Sequence, residues 1–344
     1  MRVLVDVTHP AHVHLFRHAI DVLESRGHAV AVASREKDVT TDLLDAYGID
    51  HAVLSRKRSG PVGAAREWLA REARLYRFAR SVDPDVVLSR LNPASAHVAR
   101  LLGAPNVVFH DTEAASAIAR VTVPFAAVVC TPEAFDGDLG AKQVRYAGYH
   151  ELAYLHPARF ERDPAPLREA GIDPEEPYAV LRFVSPDAHH DDGDSVLSVA
   201  AKRELVETLA ASGDVHLVSE GGLPSDLEPY AARVPPESVH QLLAHADLFA
   251  GDSSTMAAEA GLLGTPTVRL DTFGGALANF EELATRYGLV RSVDEDEAVL
   301  AAVRELAADP DAGARWRRRR RNLLAEKIDV TAFVVALATE VGGA

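Results

Sequence analysis

The chain has very little of several residue types, and each shortage closes off a class of protein. One cysteine, Cys130, occurs in 344 residues. A single thiol cannot close an internal disulfide, so no disulfide framework supports this fold. Cys130 lies in the apolar run FAAVVC and reads as a small core residue. Lysine supplies only Lys37, Lys57, Lys142, Lys202 and Lys327, the other basic residues being arginine. No run of about 20 apolar residues occurs, so no membrane span is expected. No basic segment precedes the first apolar strand, so no secretory signal is expected and the expected location is cytoplasmic. The formal net charge of −15 argues against a nucleic-acid partner. An acidic, lysine-poor, alanine-rich chain fits a halophilic cytoplasm, which speaks of habitat and not of chemistry.

What is present is a globular composition, 47% hydrophobic. At this length two domains are expected rather than one. Short β-rich runs alternate with helical patterns. Strands are expected at 2–7, 29–34, 51–54, 85–90, 106–111 and 126–131, with helices at 11–26, 36–47, 62–81 and 93–102. The rhythm breaks across 152–177, which holds five prolines. It resumes with strands at 178–184, 215–220, 248–252 and 267–270, helices at 196–211, 224–232 and 254–263, and the apolar stretch SVHQLLAHA at 238–246. A βαβ series of this kind predicts parallel sheets with helices on both faces. The expected organisation is a first Rossmann-like domain (1–155), a linker with a short helix (156–177), a second Rossmann-like domain (178–311) and a helical tail (312–344) packing back on the first domain.

The most informative stretch is LFAGDSSTMAAEAGLLGTPTVRL, residues 248–270. A strand ends at Gly251 and Asp252. The hydroxyl residues Ser253, Ser254 and Thr255 turn the chain, and a helix carries Met256 and, one turn in, Glu259. Free N–H groups and the positive end of that helix suit a diphosphate. The hydroxyls add donors, and Glu259 can accept two hydrogen bonds from a ribose diol. The plain alternative is an ordinary crossover with serine as the cap and Glu259 in solvent.

Other candidates lie at strand ends, where open α/β sheets bind their ligands. THPAHVHLFRHAI (8–20) holds four of the fifteen histidines. His9 can cap this loop. His12 has the near-neutral pKa of a general base for an acceptor hydroxyl, against a structural role in the turn. His14 and His18 share a helix face at a spacing that permits a metal pair, but no third ligand accompanies them, and no metal is expected. FHDTEAASA (109–117) sets Asp111 and Glu113 at another strand end, as catalytic acids or as residues favoured by the helix dipole. Arg182, in a buried strand, needs an acidic partner or a diphosphate. Glu151, in GYHE (148–151), binds substrate or locks the hinge. Arg56 and Arg58, in SRKRSG (55–60), receive a phosphate-bearing acceptor or face solvent. The acidic pair in DPD (83–85) opens a strand and stands at the wrong end of the sheet for a donor metal. The run RWRRRRRN (315–322) is a solvated face or makes a weak, salt-screened peripheral membrane contact.

Two α/β halves, a proline-rich joint and the 248–270 segment together resemble the glycosyltransferase-B fold, with two Rossmann-like domains facing across a cleft. More narrowly, DVTHPAHVHLFRHAI, HDTEAA, AGYHELAYLHP, LRFVSPDAHHDDG and GDSSTMAAEAGLLGTPTVR resemble, in that order, the prokaryotic domain-of-unknown-function family 354. The resemblance covers about residues 1–335. Pro186 departs from the family's usual aromatic. The 248–270 segment is also similar to the "SGG…EE…G.P" segment of UDP-N-acetylglucosamine 2-epimerases. PAHVHL resembles the GGHVFP segment of the lipid-linked N-acetylglucosaminyltransferase of peptidoglycan synthesis, which implies that His12 faces the cleft. FHDTEAASA resembles the epimerase HVEAGLR segment, which implies an active-site acid. His190 and Asp191 match the family pattern, which implies a place opposite His12.

These resemblances imply a metal-independent, sugar-nucleotide-dependent glycosyltransferase with a glycan or lipid-linked acceptor. The nucleotide sugar is a substrate, and no cofactor is expected. A sugar-nucleotide 2-epimerase using Asp111 and Glu113, and a non-catalytic nucleotide-sugar binding protein, are the other readings.

Overall fold

The computed structural model describes all residues except 59, 184–196, 220–222, 272–276 and 344, and the side chains at 61, 62, 64 and 65. The chain divides into two compact units. The first comprises Met1–Arg159 and Lys327–Ala344, the second Phe160–Glu326.

The first unit runs β1 (Arg2–Val7), α1 (Pro10–Ser25), β2 (Ala29–Glu36), α2 (Thr40–Ala46), β3 (His51–Arg56), α3 (Pro61–Val82), β4 (Val86–Arg90), α4 (Pro93–Leu102), β5 (Asn106–Phe109), α5 (Ser116–Thr122), β6 (Val128–Pro132), β7 (Gln143–Tyr146) and α6 (Leu152–Leu155). Its sheet is parallel, in the order β3-β2-β1-β4-β5-β6-β7. Strands covered on both faces read as unbroken apolar runs. In β1 the residues Val3 to Val7 are all buried, and Asp6 is the single charge among them. Cys130 is fully buried in β6, and burial pushes its thiol up to about 12.

The second unit runs α7 (Ala165–Glu169), β8 (Tyr178–Phe183), α8 (Val199–Ala210), β9 (Asp214–Ser219), α9 (Val239–His245), β10 (Leu248–Gly251), α10 (Ser254–Leu263), β11 (Thr267–Leu270), α11 (Ala278–Glu281), β12 (Arg291–Val293), α12 (Asp296–Ala307) and α13 (Ala312–Leu324). Its parallel sheet has the order β12-β11-β10-β8-β9. The last helix, α14 (Val330–Gly342), belongs to the first unit and packs on α1 and α6.

Three features differ from the sequence expectation. The helix expected over 224–232 is not formed. Only a 3-10 turn, Glu228–Tyr230, appears, because Pro229 removes an interior donor and disfavours helical geometry at Glu228. The segment expected as a linker with a short helix belongs to the second unit from Phe160 onward, and its short helix is α7. The stretch 312–344 is shared between the units. α13 stays in the second, where the Trp316 indole N–H donates to the Leu289 carbonyl at 2.8 Å. Arg319 and Arg320 donate to the carbonyls of Gly288 and Leu262, and Arg315 pairs with Asp309. Half of the arginine run thus serves internal contacts.

Candidate active site

In each sheet the strand order reverses at one place, and there the two flanking connections diverge and leave a crevice at the carboxyl ends. In the first unit that place is β1/β4; in the second it is β8/β10.

Beyond β1 the chain caps α1. His9 is the cap residue, and its Nδ1 accepts the Ala11 amide at 3.2 Å, while Pro10 takes the first helical position, where its missing donor costs nothing. His12 stands half a turn on, its ring 5.9 Å from that of His9. Its Nδ1 accepts the Thr8 amide at 3.3 Å and lies 3.3 Å from the Thr8 hydroxyl. The amide contact holds Nδ1 unprotonated, which leaves the proton on Nε2. The hydroxyl offers the other arrangement, because its oxygen can accept from an Nδ1–H. Burial, then the Arg90 guanidinium and His9, hold the His12 pKa well below the usual imidazole range. Burial likewise lowers His9 to about 4. Both rings are therefore neutral at pH 7.

Next to His12 lies a charged cluster. Arg90, the last residue of β4, pairs with Asp111 Oδ1. His150 Nδ1 sits 2.6 Å from Asp111 Oδ2 and 2.6 Å from an Arg90 nitrogen. One ring nitrogen thus faces both an obligatory donor and an obligatory acceptor, and can satisfy one at a time. The Thr112 hydroxyl adds a hydrogen bond to Asp111 at 2.9 Å. Burial opposes the Asp111 charge, but Arg90 and His150 outweigh it and hold the carboxyl well below the usual carboxylate range. Tyr146 stacks against His150 with ring centres 6.1 Å apart.

Under this cluster, Asp6 of β1 is almost fully buried and receives hydrogen bonds from Arg71, Asn92 and Ser95. These donors come from α3, the β4–α4 turn and α4, so the acid ties both sides of the crevice to its floor.

Glu113 does not join the cluster. Its Oε1 accepts the Asp136 amide at 3.2 Å, and its Oε2 is buried with no hydrogen-bond partner. Glu151 begins α6. Arg56 is exposed and paired with Glu36 at 2.7 Å, and Arg58 contributes its backbone N–H to Glu67 at 3.0 Å. His14 is packed between the rings of Tyr47 and Tyr154.

In the second unit, β10 ends at Gly251 beside β8. A Cβ on Gly251 would stand 2.1 Å from the Arg182 carbonyl oxygen, so only glycine fits. The Asp252 amide donates to that same carbonyl at 3.2 Å. Arg182 and Asp252 are both buried. Ser253 is the cap position of α10 but makes no side-chain cap bond, and the Ser254 Oγ is buried without a partner. Thr255 is exposed and Met256 is buried. Glu259 is neither in solvent nor unengaged: it is buried, and its Oε1 lies 3.1 Å from His240 Nε2 on α9. His190 lies outside the described residues, as do His189 and Asp191.

Sequence reasoning passed over Arg90, His150 and His240. Arg90 carried a readable signal, a charge closing the apolar strand VVLSR at its ligand-binding end. His150 was in the quoted GYHE segment but nothing in its spacing marked it. His240 is brought to Glu259 by the packing of α9 on α10, which a linear reading does not reveal.

Solved structures with the same architecture are glycosyltransferases. The spinosyn forosaminyltransferase SpnP superposes with a TM-score of 0.66 at 15% identity, covering 99% of each chain. A glycosyltransferase of Streptomyces sp. SF2575, SsfS6, complexed with thymidine diphosphate, gives 0.64 at 16% identity, covering 97% of this chain and 99% of that one. VinC, in complex with dTDP, gives 0.64 at 14% identity over the whole of both chains. Two parallel Rossmann-type sheets with these likenesses define a protein of the glycosyltransferase-B fold. The chain belongs to the family described as protein of unknown function, DUF354, whose model matches residues 1–331. An uncharacterized protein of Methanocaldococcus jannaschii, MJ0665, is 24% identical over 279 residues, which is 77% of this chain and 80% of that protein.

Proposed function

We propose that this protein is a glycosyltransferase that takes a nucleoside-diphosphate sugar as donor, without a metal ion or other cofactor, and passes the sugar to a glycan or lipid-linked acceptor. The observation that carries the reading is the start of α10. At the switch point of the second sheet, a ten-residue helix presents its free amides, and the Ser254 hydroxyl is buried there with no partner. Such a helix start supplies donors and a positive partial charge to a diphosphate. The thymidine diphosphate carried by the similar SsfS6 and VinC supports this class of donor.

The first unit binds the acceptor hydroxyl beside His12. The acceptor oxygen attacks the anomeric carbon, a new C–O bond forms, and the bond from that carbon to the diphosphate oxygen breaks. The nucleoside diphosphate leaves with the bond's electrons. The acceptor proton goes to His12 Nε2 in the tautomer that carries its proton on Nδ1 and donates it to the Thr8 hydroxyl, which leaves Nε2 free to accept. The lowered pKa leaves the ring unprotonated through the neutral range but makes it a weaker base than the near-neutral value expected from the sequence. Arg90, Asp111 and His150 set the field around it.

Isothermal titration with a panel of nucleoside diphosphates, in salt that keeps the chain folded, tests the donor site. One nucleotide should bind at or below millimolar concentration, and Ser254→Trp should abolish that binding. Mass spectrometry of products with and without acceptor then separates transfer from epimerisation. No nucleotide binding at millimolar concentration ends the reading.

A further inference from the structure

We propose that the α3–α5 face of the first unit docks on an anionic lipid bilayer, and that the acceptor is drawn from that surface. The second clause rests on the transferase reading; the docking itself does not.

Six of the eleven exposed large apolar side chains among the described residues fall on this one face. They are Trp68 (47% exposed), Leu69 (70%), Leu101 (73%), Ile118 (46%), Val121 (45%) and Phe125 (43%). His97 of α4 joins them into a single surface. Its Nδ1 lies 3.1 Å from Glu72 of α3, its Nε2 lies 3.1 Å from the Val121 carbonyl of α5, and its ring packs on Phe125 with centres 4.6 Å apart. Scattered apolar residues need no explanation, but a contiguous patch carrying a tryptophan marks an interaction surface.

The charge of the face chooses the partner. Residues 56–80 carry seven exposed basic side chains and no exposed acidic one among the described residues, in a chain of net charge −15. Arg66, Leu69, Ala73 and Arg77 follow one another at helical spacing, and all four are exposed. Arg100 and Arg120 adjoin Leu101 and Val121, and both are exposed. Apolar side chains ringed by cations match the interface of an anionic bilayer. A second copy on the same face would form an isologous contact and set these arginines against their own equivalents.

The face also opens inward. Trp68, Ile118 and Val121 line a pocket of about 490 Å³ that reaches Thr8 at the end of β1. Thr8 holds His12. The size is that of a ligand site. An acceptor held by the bilayer through its hydrocarbon chain can enter from the apolar side and bring its hydroxyl to His12.

The two tryptophans make the test direct. Trp316 is buried in the second unit and Trp68 is exposed in the first. The Trp316→Phe variant therefore reports Trp68 alone, and wild type minus Trp68→Phe gives the same signal should Trp316→Phe fail to fold. Flotation with phosphatidylglycerol vesicles should retain the protein at least fivefold better than phosphatidylcholine vesicles. Lipids brominated on the chains should quench Trp68. The variant Leu69→Glu with Phe125→Glu, both on the surface, should lose flotation while keeping its Tm and its nucleotide binding. Absent flotation, flotation without quenching, or flotation undiminished in the variant overturns the proposal. So does a dimer that Leu69→Glu dissociates, which assigns the face to a second copy. Vesicle binding without nucleotide binding would sink the transferase reading and leave the docking face standing; the reverse result would do the opposite.

Discussion

Glu259 and His240 meet inside the second unit, carboxylate to imidazole at 3.1 Å, with both residues nearly excluded from solvent. Glu259→Ala deletes this buried hydrogen bond and should therefore cost about 1–3 kcal/mol of unfolding free energy. Glu259→Gln keeps a hydrogen bond and should cost about 1 kcal/mol. Urea denaturation of the two variants checks this. If Glu259 also holds a ribose, the glutamine variant, and not the alanine one, is the place to read it, because it alone separates lost nucleotide affinity from lost fold.

Asp6, in the first unit, should be more sensitive. Its carboxylate is the common acceptor for Arg71, Asn92 and Ser95, and Asp6→Ala would strand the buried Arg71 guanidinium. A loss of about 3–5 kcal/mol is expected. The nucleotide affinity of the second unit should be unaffected, which titration of the variant tests at a temperature where it remains folded.

The pH dependence of transfer should be shallow on the acid side. A base whose pKa is depressed stays unprotonated until the pH falls through that lowered value. The acidic limb of kcat should therefore lie well below 6.5, since burial and Arg90 hold His12 down. A limb centred at 6.5 or above would remove His12 from the role. Thr8→Val keeps the amide contact but deletes the hydroxyl that accepts Nδ1–H. It should lower kcat by up to about 100-fold, the low end of what general base catalysis contributes, with KM for the donor unchanged.

His110 carries a stability prediction. It is 2% exposed, packs on Phe135, and burial lowers it to about 4. The unfolded chain binds this proton from about pH 6.5 downward, while the folded chain does not until about 4. The contribution is thus complete above pH 6.5 and is lost as pH falls from 6.5 to 4. The loss should reach about 3 kcal/mol for this residue. Denaturation curves of wild type and His110→Phe across that window should converge toward acid.

The strands of both sheets were legible because buried parallel strands are unbroken apolar runs. RVLVDV and TVRL begin and end in the structure where their composition changes. β7 and β12 were not legible, since QVRY and RSV are short sheet edges with little apolar surface to bury. The helix pattern at 224–232 misled because apolar spacing was weighed above Pro229. At the site, strand-end position led to His12 and Asp111. It gave no access to the pairings Arg90–Asp111, His150–Asp111 and Glu259–His240, which join residues 19 to 39 positions apart through tertiary packing.

The return of α14 to the first unit sets an order on synthesis. Phe333 stacks on Tyr146 and meets Phe109 edge-on, Thr331 donates to the Ala153 carbonyl, and Asp329 pairs with Arg159. A ribosome adds every residue of the second unit before it makes these groups. The unit that begins first therefore cannot be completed until the last residues arrive, and until then α1 and α6 wait uncovered.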